Sequence, residues 1–232
     1  MTENKKYHSI ISDYVELERF VSTLDPDGKY LVQLTIRNKY ADYNVNKNYN
    51  VLRKNFLPVK KIIPFIKQLE VPVGAYETHT QEPILNDTGF AVYISVNALD
   101  ENKAYQKMLV DLSTKIAFNQ TMPRHIEEYV HTQLFKSNAR SVLDVEFDSD
   151  SRQELEDIKT RVVESIGTEE AVRFINTRGG IHSLIETAKI PNDKRKTAIR
   201  NIQKLPKVDM IGSQMSHAVP GTFQGGHAVT MD

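Results

Sequence analysis

SVLDVEFDSD, residues 141–150, decides how the rest of the chain is read. Apolar and acidic residues alternate with a period of two, the pattern of a strand buried on one side. Asp144 and Glu146 then project from one face, Val145 and Phe147 from the other. Carboxylates two residues apart on a strand stand about 7 Å apart. That spacing suits shared coordination of one hard divalent cation, or of a pair roughly 4 Å apart, as in in-line phosphoryl displacement. The same pattern also fits a strand with an acidic solvent face. Asp148 and Asp150 lie near the next helix start, where acids favour the dipole and cap backbone amides. Ser151 with Glu154 is a capping-box signature, and Leu155, Ile158, Val162, Val163 and Ile166 give the following helix its buried stripe.

Further along, TRGGIHSLIE (residues 177–186) puts two glycines before an alternating strand. Glycines weaken strands, so they need a reason, and close approach to the backbone is one. The flexible amides of Gly179 and Gly180 and the guanidinium of Arg178, beside His182, are good ligands for a phosphate chain. A strand histidine satisfied by its own neighbours is the competing reading. Residues 170–176 and 181–185 supply one or two strands kinked at the glycines. A short helix over 193–204 leads to Val208-Asp209 and a Gly/Pro-rich end read as loop.

Upstream, GFAVYISV (89–96) is a near-continuous apolar strand; a turn at 97–100 leads into a helix over 103–117, with another over 124–136. YLVQLTI (30–36) alternates as a strand, and the Asn- and Tyr-rich segment after it reads as a long loop or hairpin. Residues 58–69 carry helical spacing, with Pro58 near the start and Pro64 a kink. The sum is α/β (α+β): a mixed sheet with helices packed on it. Residues 1–88 form an N-terminal basic and aromatic subdomain, or an edge of the same sheet, and residues 89–232 the core.

The 232 residues are 40% hydrophobic, enough for a well-buried domain. With no cysteine, thiolate zinc sites, disulfides and cysteine nucleophiles are excluded. The polar start and the lack of an apolar run near the roughly 20 residues of a membrane helix predict a soluble cytoplasmic protein with no membrane partner. Net charge is zero, but the charges are sorted into blocks. Between residues 29 and 67 the bases Lys29, Arg37, Lys39, Lys47, Arg53, Lys54, Lys60, Lys61 and Lys67 face one acid, Asp42, with Tyr30, Tyr40, Tyr43, Tyr49 and Phe56 interleaved. A second basic block, Lys189 to Lys207, holds Lys194, Arg195, Lys196, Arg200 and Lys204 around an otherwise polar helix, and residues 144–170 between the blocks are acidic. Such blocks suit a polyanion held beside a metal site; solvated charged faces also produce them. No G-x-x-x-x-G-K-[ST] is present, LDPDG (24–28) lacks the lysine of an adenylating ligase, and His125 and His131 are six apart, not at zinc-protease spacing.

The order of these pieces resembles the archaeo-eukaryotic primase superfamily, including its small viral and plasmid primase-polymerases. Leu143-Asp144-Val145-Glu146 matches the first motif, Gly180-Ile181-His182 the second, Val208-Asp209 the third, and Pro220-Gly221-Thr222 looks like a following Pro-Gly-Thr. The resemblance covers residues 89–226 and implies a primase-like core built on an RRM-like unit. It also implies that Asp144, Glu146 and Asp209 hold Mg²⁺ or Mn²⁺ as catalytic metals and that His182 contacts nucleotide phosphates. Arg178, Gly179, Gly180 and His217 join the nucleotide-binding set, although Ala218 and Val219 separate His217 from Pro220. Arg53, Lys54, Lys60, Lys61, Lys194, Arg195 and Lys196 are the candidates for binding single-stranded nucleic acid. The implied activity is template-directed nucleotidyl transfer from nucleoside triphosphates in phage or plasmid replication, with replication proteins as partners. Two readings stay open beside it: a non-catalytic nucleic-acid or nucleotide-binding protein, and a protein-interaction domain.

Overall fold

The computed structural model describes residues 6–41, 50–137, 141–213 and 215–232. Among them are six α-helices and two antiparallel sheets. No helix there is long and apolar enough to cross a membrane.

The first sheet is built on β1 (Lys29–Ile36), β2 (Val51–Pro58) and β3 (Phe90–Ser95), with β1 in the middle of the three. Residues on both sides of position 88 therefore share one sheet. Alternation sends Tyr30, Val32, Leu34 and Ile36 into a core shared with α1 (Tyr14–Ser22) and α2 (Ile62–Lys67). Leu31, on the other face, packs with Phe56 against Leu99, Ala104 and Leu134, contributed by α3 (Glu101–Ala117), α4 (Ile126–Phe135) and the turn before them. Pro58 ends β2 and is also the N-cap of a 3-10 turn, Val59–Lys61, that leads into α2.

The second sheet comes from β4 (Val142–Asp148), α5 (Arg152–Ile166), β5 (Val172–Asn176), β6 (Gly180–Glu186), α6 (Asn192–Ile202) and β7 (Val208–Gly212). This is a β-α-β-β-α-β succession with strand order β5-β6-β4-β7. Val145 and Phe147 of β4 pack with Ile158, Val162, Ile166, Ala198 and Ile202, so α5 and α6 cover that face. Ser151 caps α5 by accepting from the Glu154 amide. The expected return bond from Glu154 is relayed: its carboxylate accepts from Ser149 Oγ, which accepts from the Ser151 amide.

The single mixed sheet read from the sequence is corrected to two antiparallel ones. What joins them is the stretch after β7, read as loop. It places β8 (Ser216–Ala218) and β9 (Phe223–Gln224) against β3, β10 (His227–Ala228) against β9, and β11 (Thr230–Met231) against β5. Gly225 and Gly226, both at positive φ, make the two-residue turn between β9 and β10. Helix α1 was also missed, although Asp13 accepting from the Val15 and Glu16 amides is a cap legible in DYVE.

Candidate functional site

The face of β4 opposite α5 carries Asp144, Glu146 and Asp148. β6 runs alongside with His182 opposite Glu146, and β7 runs along the other edge with Met210 opposite Glu146. Pairing then shifts, Phe147 facing Val208, so Asp209 is the extra residue of an irregularity beside Glu146. The structure thus brings Asp144, Glu146, His182 and Asp209 together on three adjacent strands.

Their environments differ sharply. Asp144 is fully buried, and its two carboxylate oxygens lie 3.0 and 3.1 Å from His182 Nδ1. Since a carboxylate only accepts, Nδ1 carries the hydrogen and donates it. Burial works against charge on the His182 ring, but the Asp144 carboxylate outweighs it and holds the pKa above the ordinary histidine value. Nε2 points towards Glu146, 3.7 Å from its Oε1. Glu146 is part-buried, and its carboxyl is pushed up by burial and by the negative charges of Asp148, Asp144 and Asp209, against the pull of His182. Asp209 is exposed.

Glu146, Asp148 and His182 open into a cavity of about 270 Å³ between the sheets. The opposite wall belongs to the first sheet: Tyr93, Ser216 and Gln224, with Arg37, Lys39 and Tyr40 just beyond β1. Gln224 Nε2 donates to the Tyr93 hydroxyl at 3.0 Å. Away from this cavity, buried Asn97 clamps the two sheets, donating to the carbonyls of Val142 (2.7 Å) and Ser213 (2.9 Å) and accepting from the Val142 amide (2.8 Å). A larger cavity of about 680 Å³ lies beyond the 177–180 turn, lined by Arg152, Asn176, Arg178 and His227 among others. Its lysine, Lys159, is already paired with Glu156 and Asp232, and none of the carboxylates on β4 and β7 lines it. The smaller cavity is the candidate site.

Several expected residues are placed otherwise. Asp148 does not cap α5, as Ser151 does, but lines the cavity. His217 is 1% exposed, edge-on to Phe20 and beside His182, with Nδ1 donating to its neighbour's carbonyl, Ala218 O. Burial lowers its pKa to about 4, so it is a neutral core residue and not a phosphate ligand. Gly180 is needed by its own sheet: a Cβ there would stand 1.9 Å from Phe147 O. Gly179 is the glycine that faces the cavity. Arg178 spans to the β9–β10 turn, its amide donating to Gln224 Oε1 at 2.9 Å, its guanidinium bonded to Gly225 O and stacked over Tyr40. Gly221, at positive φ, lets the chain approach the start of α1, where its carbonyl accepts from the Ser12 and Asp13 amides, so Pro-Gly-Thr is a brace for that helix.

Arg53 and Lys54 are exposed on the edge strand β2, and Lys60 and Lys61 on the 3-10 turn after it. Lys54 Nζ lies 3.1 Å from His131 Nδ1. Lys194, Arg195 and Lys196 sit on α6, across the second sheet from the cavity. Lys47, Tyr43 and Tyr49 lie outside the described residues. Arg37, Lys39, Tyr93 and Gln224 were not singled out from the sequence as site residues. Arg37 and Lys39 follow β1 directly inside the first basic block, which was the available signal.

As to a metal, no group of three ligating side chains is gathered among the described residues. The donors nonetheless fit a hard divalent ion in kind: Glu146 and Asp209 are oxygen donors whose negative charges repel each other, a repulsion that a bound cation would relieve. Mg²⁺ is ordinarily held by one or two carboxylates plus substrate phosphates rather than by an all-protein cage. Compared with family models, curated proteins and solved structures, the chain returns no match.

Proposed function

We propose that the chain is a primase-like nucleotidyltransferase that extends a nucleic-acid strand on a single-stranded template, in the setting of phage or plasmid replication. The observation that carries the reading is that Glu146 and His182, paired on neighbouring strands, open into a cavity between two sheets, with Asp209 beside Glu146 on the third strand. The β-α-β-β-α-β succession beneath them supports the RRM-like unit of the resemblance.

Glu146 and Asp209 would hold Mg²⁺ or Mn²⁺, which supplies charge stabilisation for attack of a 3′ oxygen on the α-phosphorus with loss of pyrophosphate. His182 is held by Asp144 with Nε2 turned to the cavity side, where it meets a phosphate oxygen. Asp144, buried against that ring, acts as a positioning residue in this reading rather than as a ligand. Tyr93 and Gln224 form the wall against which the nucleotide lies. The exposed bases of β2 give the template strand a salt-sensitive track.

The test is nucleotide incorporation on a primed single-stranded template with either metal. Wild type should yield product, and Glu146→Gln with Asp209→Asn should reduce it at least about 100-fold while the fold persists. The engagement of Asp144 with His182 favours a second reading, a nucleotide-binding protein without turnover. Salt-sensitive binding of single strands with no product under either metal would select it.

A further inference from the structure

We propose that Arg37 and Lys39 are the polyphosphate-binding residues of the cavity, holding the phosphate chain of a nucleoside triphosphate across from Glu146 and Asp148. This rests on the nucleotide reading of the site and supplies the ligand contacts that Arg178 and His217 do not.

The two bases sit on a structured turn. The Arg37 amide donates to Gly89 O at 2.7 Å, and the Tyr40 and Ala41 amides donate to Arg37 O at 2.9 and 3.1 Å. Gly89 lets this turn close, since a Cβ there would stand 2.7 Å from that of Ala41. The turn hangs the bases over the open edge of the cavity, on the face of the first sheet that Tyr93 occupies.

Their charges are held in place without being neutralised. The Arg37 guanidinium lies 5.6 Å from the centre of the Tyr93 ring, and Lys39 Nζ lies 5.1 Å from that of Tyr40. Aromatic faces orient a cation and leave its N–H groups free for another partner. None of the ion pairs found among the described residues involves Arg37 or Lys39, although Glu146 and Asp148 line the same cavity. Arg178 stacks on the same Tyr40 ring at 4.3 Å, so positive charge is concentrated there against its own repulsion. An anionic ligand relieves that repulsion.

The gap between the walls has a definite sponsor in Gly179. A Cβ at that position would stand 3.7 Å from both Asp148 Oδ1 and Lys39 Nζ, so the absent side chain leaves acid and base facing each other across open space. A cavity with one cationic and one carboxylate wall fits a ligand that presents oxygens to the first and, through a bound cation, to the second. A phosphate chain has enough oxygens to take Arg37 as a bidentate fork and Lys39 as a point charge together.

The experiment is isothermal titration of the full chain with inorganic tripolyphosphate, in chelator and without divalent ions. Wild type should bind, and the double variant Arg37→Ala, Lys39→Ala should bind at least about 30-fold more weakly, given two charge-assisted contacts. Asp148→Asn should bind several-fold more tightly, because it removes a repelling carboxylate. Lys39→Ala alone, at an exposed position, should give part of the loss and guards against misfolding of the double variant. Unchanged affinity in both alanine variants overturns this assignment and leaves the nucleotide reading standing. So does a wild type that incorporates nucleotides yet binds no tripolyphosphate. A wild type that does neither overturns both.

Discussion

Replacing His217 with glutamine should flatten the acid limb of the protein's stability profile. The ring is 1% exposed, packed by Phe20 and His182, and burial depresses its pKa from 6.5 to about 4. Between those values the unfolded chain binds a proton that the folded chain refuses, so stability rises with pH there. The contribution is complete above pH 6.5 and is lost as pH falls towards 4. A gap of about 2.5 pH units at about 1.36 kcal/mol each makes the loss about 3 kcal/mol. His182 has the opposite sign. Its pKa is raised, so its pairing with Asp144 stabilises fully below pH 6.5 and fades as pH climbs through the folded value. Together the two histidines place a stability maximum near pH 6.5. Urea unfolding at half-unit steps from pH 4.5 to 8 reads both limbs. The comparison is of slopes, so any fixed cost of the substitution cancels. His217→Gln should lose most of the wild-type slope below pH 6.5 and keep the slope above it. Parallel acid limbs in the two proteins would refute the assignment of His217 as a buried neutral ring.

Two further outcomes follow from packing. Asp144→Ala should destabilise the fold by about 3–5 kcal/mol in urea unfolding, because it leaves His182 buried without its partner. A loss under about 1 kcal/mol would instead fit the acidic solvent face that the alternation of β4 also allows. Gly180→Ala should cost at least about 2 kcal/mol, since its Cβ meets the Phe147 carbonyl at 1.9 Å, whereas Gly179→Ala, with nothing nearer than 3.7 Å, should melt close to wild type. Equal melting temperatures for the two variants would contradict the register of β4 and β6.

Strands and helices with long periodic patterns were legible. Residues 30–36, 89–96 and 141–147 read as strands from alternation or apolar runs, and β1, β3 and β4 lie there. Ser151 and the stripe through Ile158 and Ile166 located α5. What escaped was short or relational. Strands β8 to β11 are two or three residues each, below the length at which a period of two can be counted. Asp144, Glu146, His182 and Asp209 were named from residue type and order, yet nothing in LDVEF says that the first carboxylate is sealed under an imidazole while the second opens into a cavity. That difference comes from β6 and from the first sheet lying over β4. Likewise Arg37 and Lys39 read as two more bases in a basic block, because their neighbours Tyr93 and Gly179 are remote in sequence.

The stretch from β7 to β11 passes from the second sheet to the first between β7 and β8, and back again between β10 and β11. A single crossing would act as a pin on which the sheets could swing. Two crossings act as a pair of rivets, which fix the angle between the plates they join. The gap they frame is therefore a slot of set width, and a guest that enters is met by side chains already standing in place rather than by closing jaws.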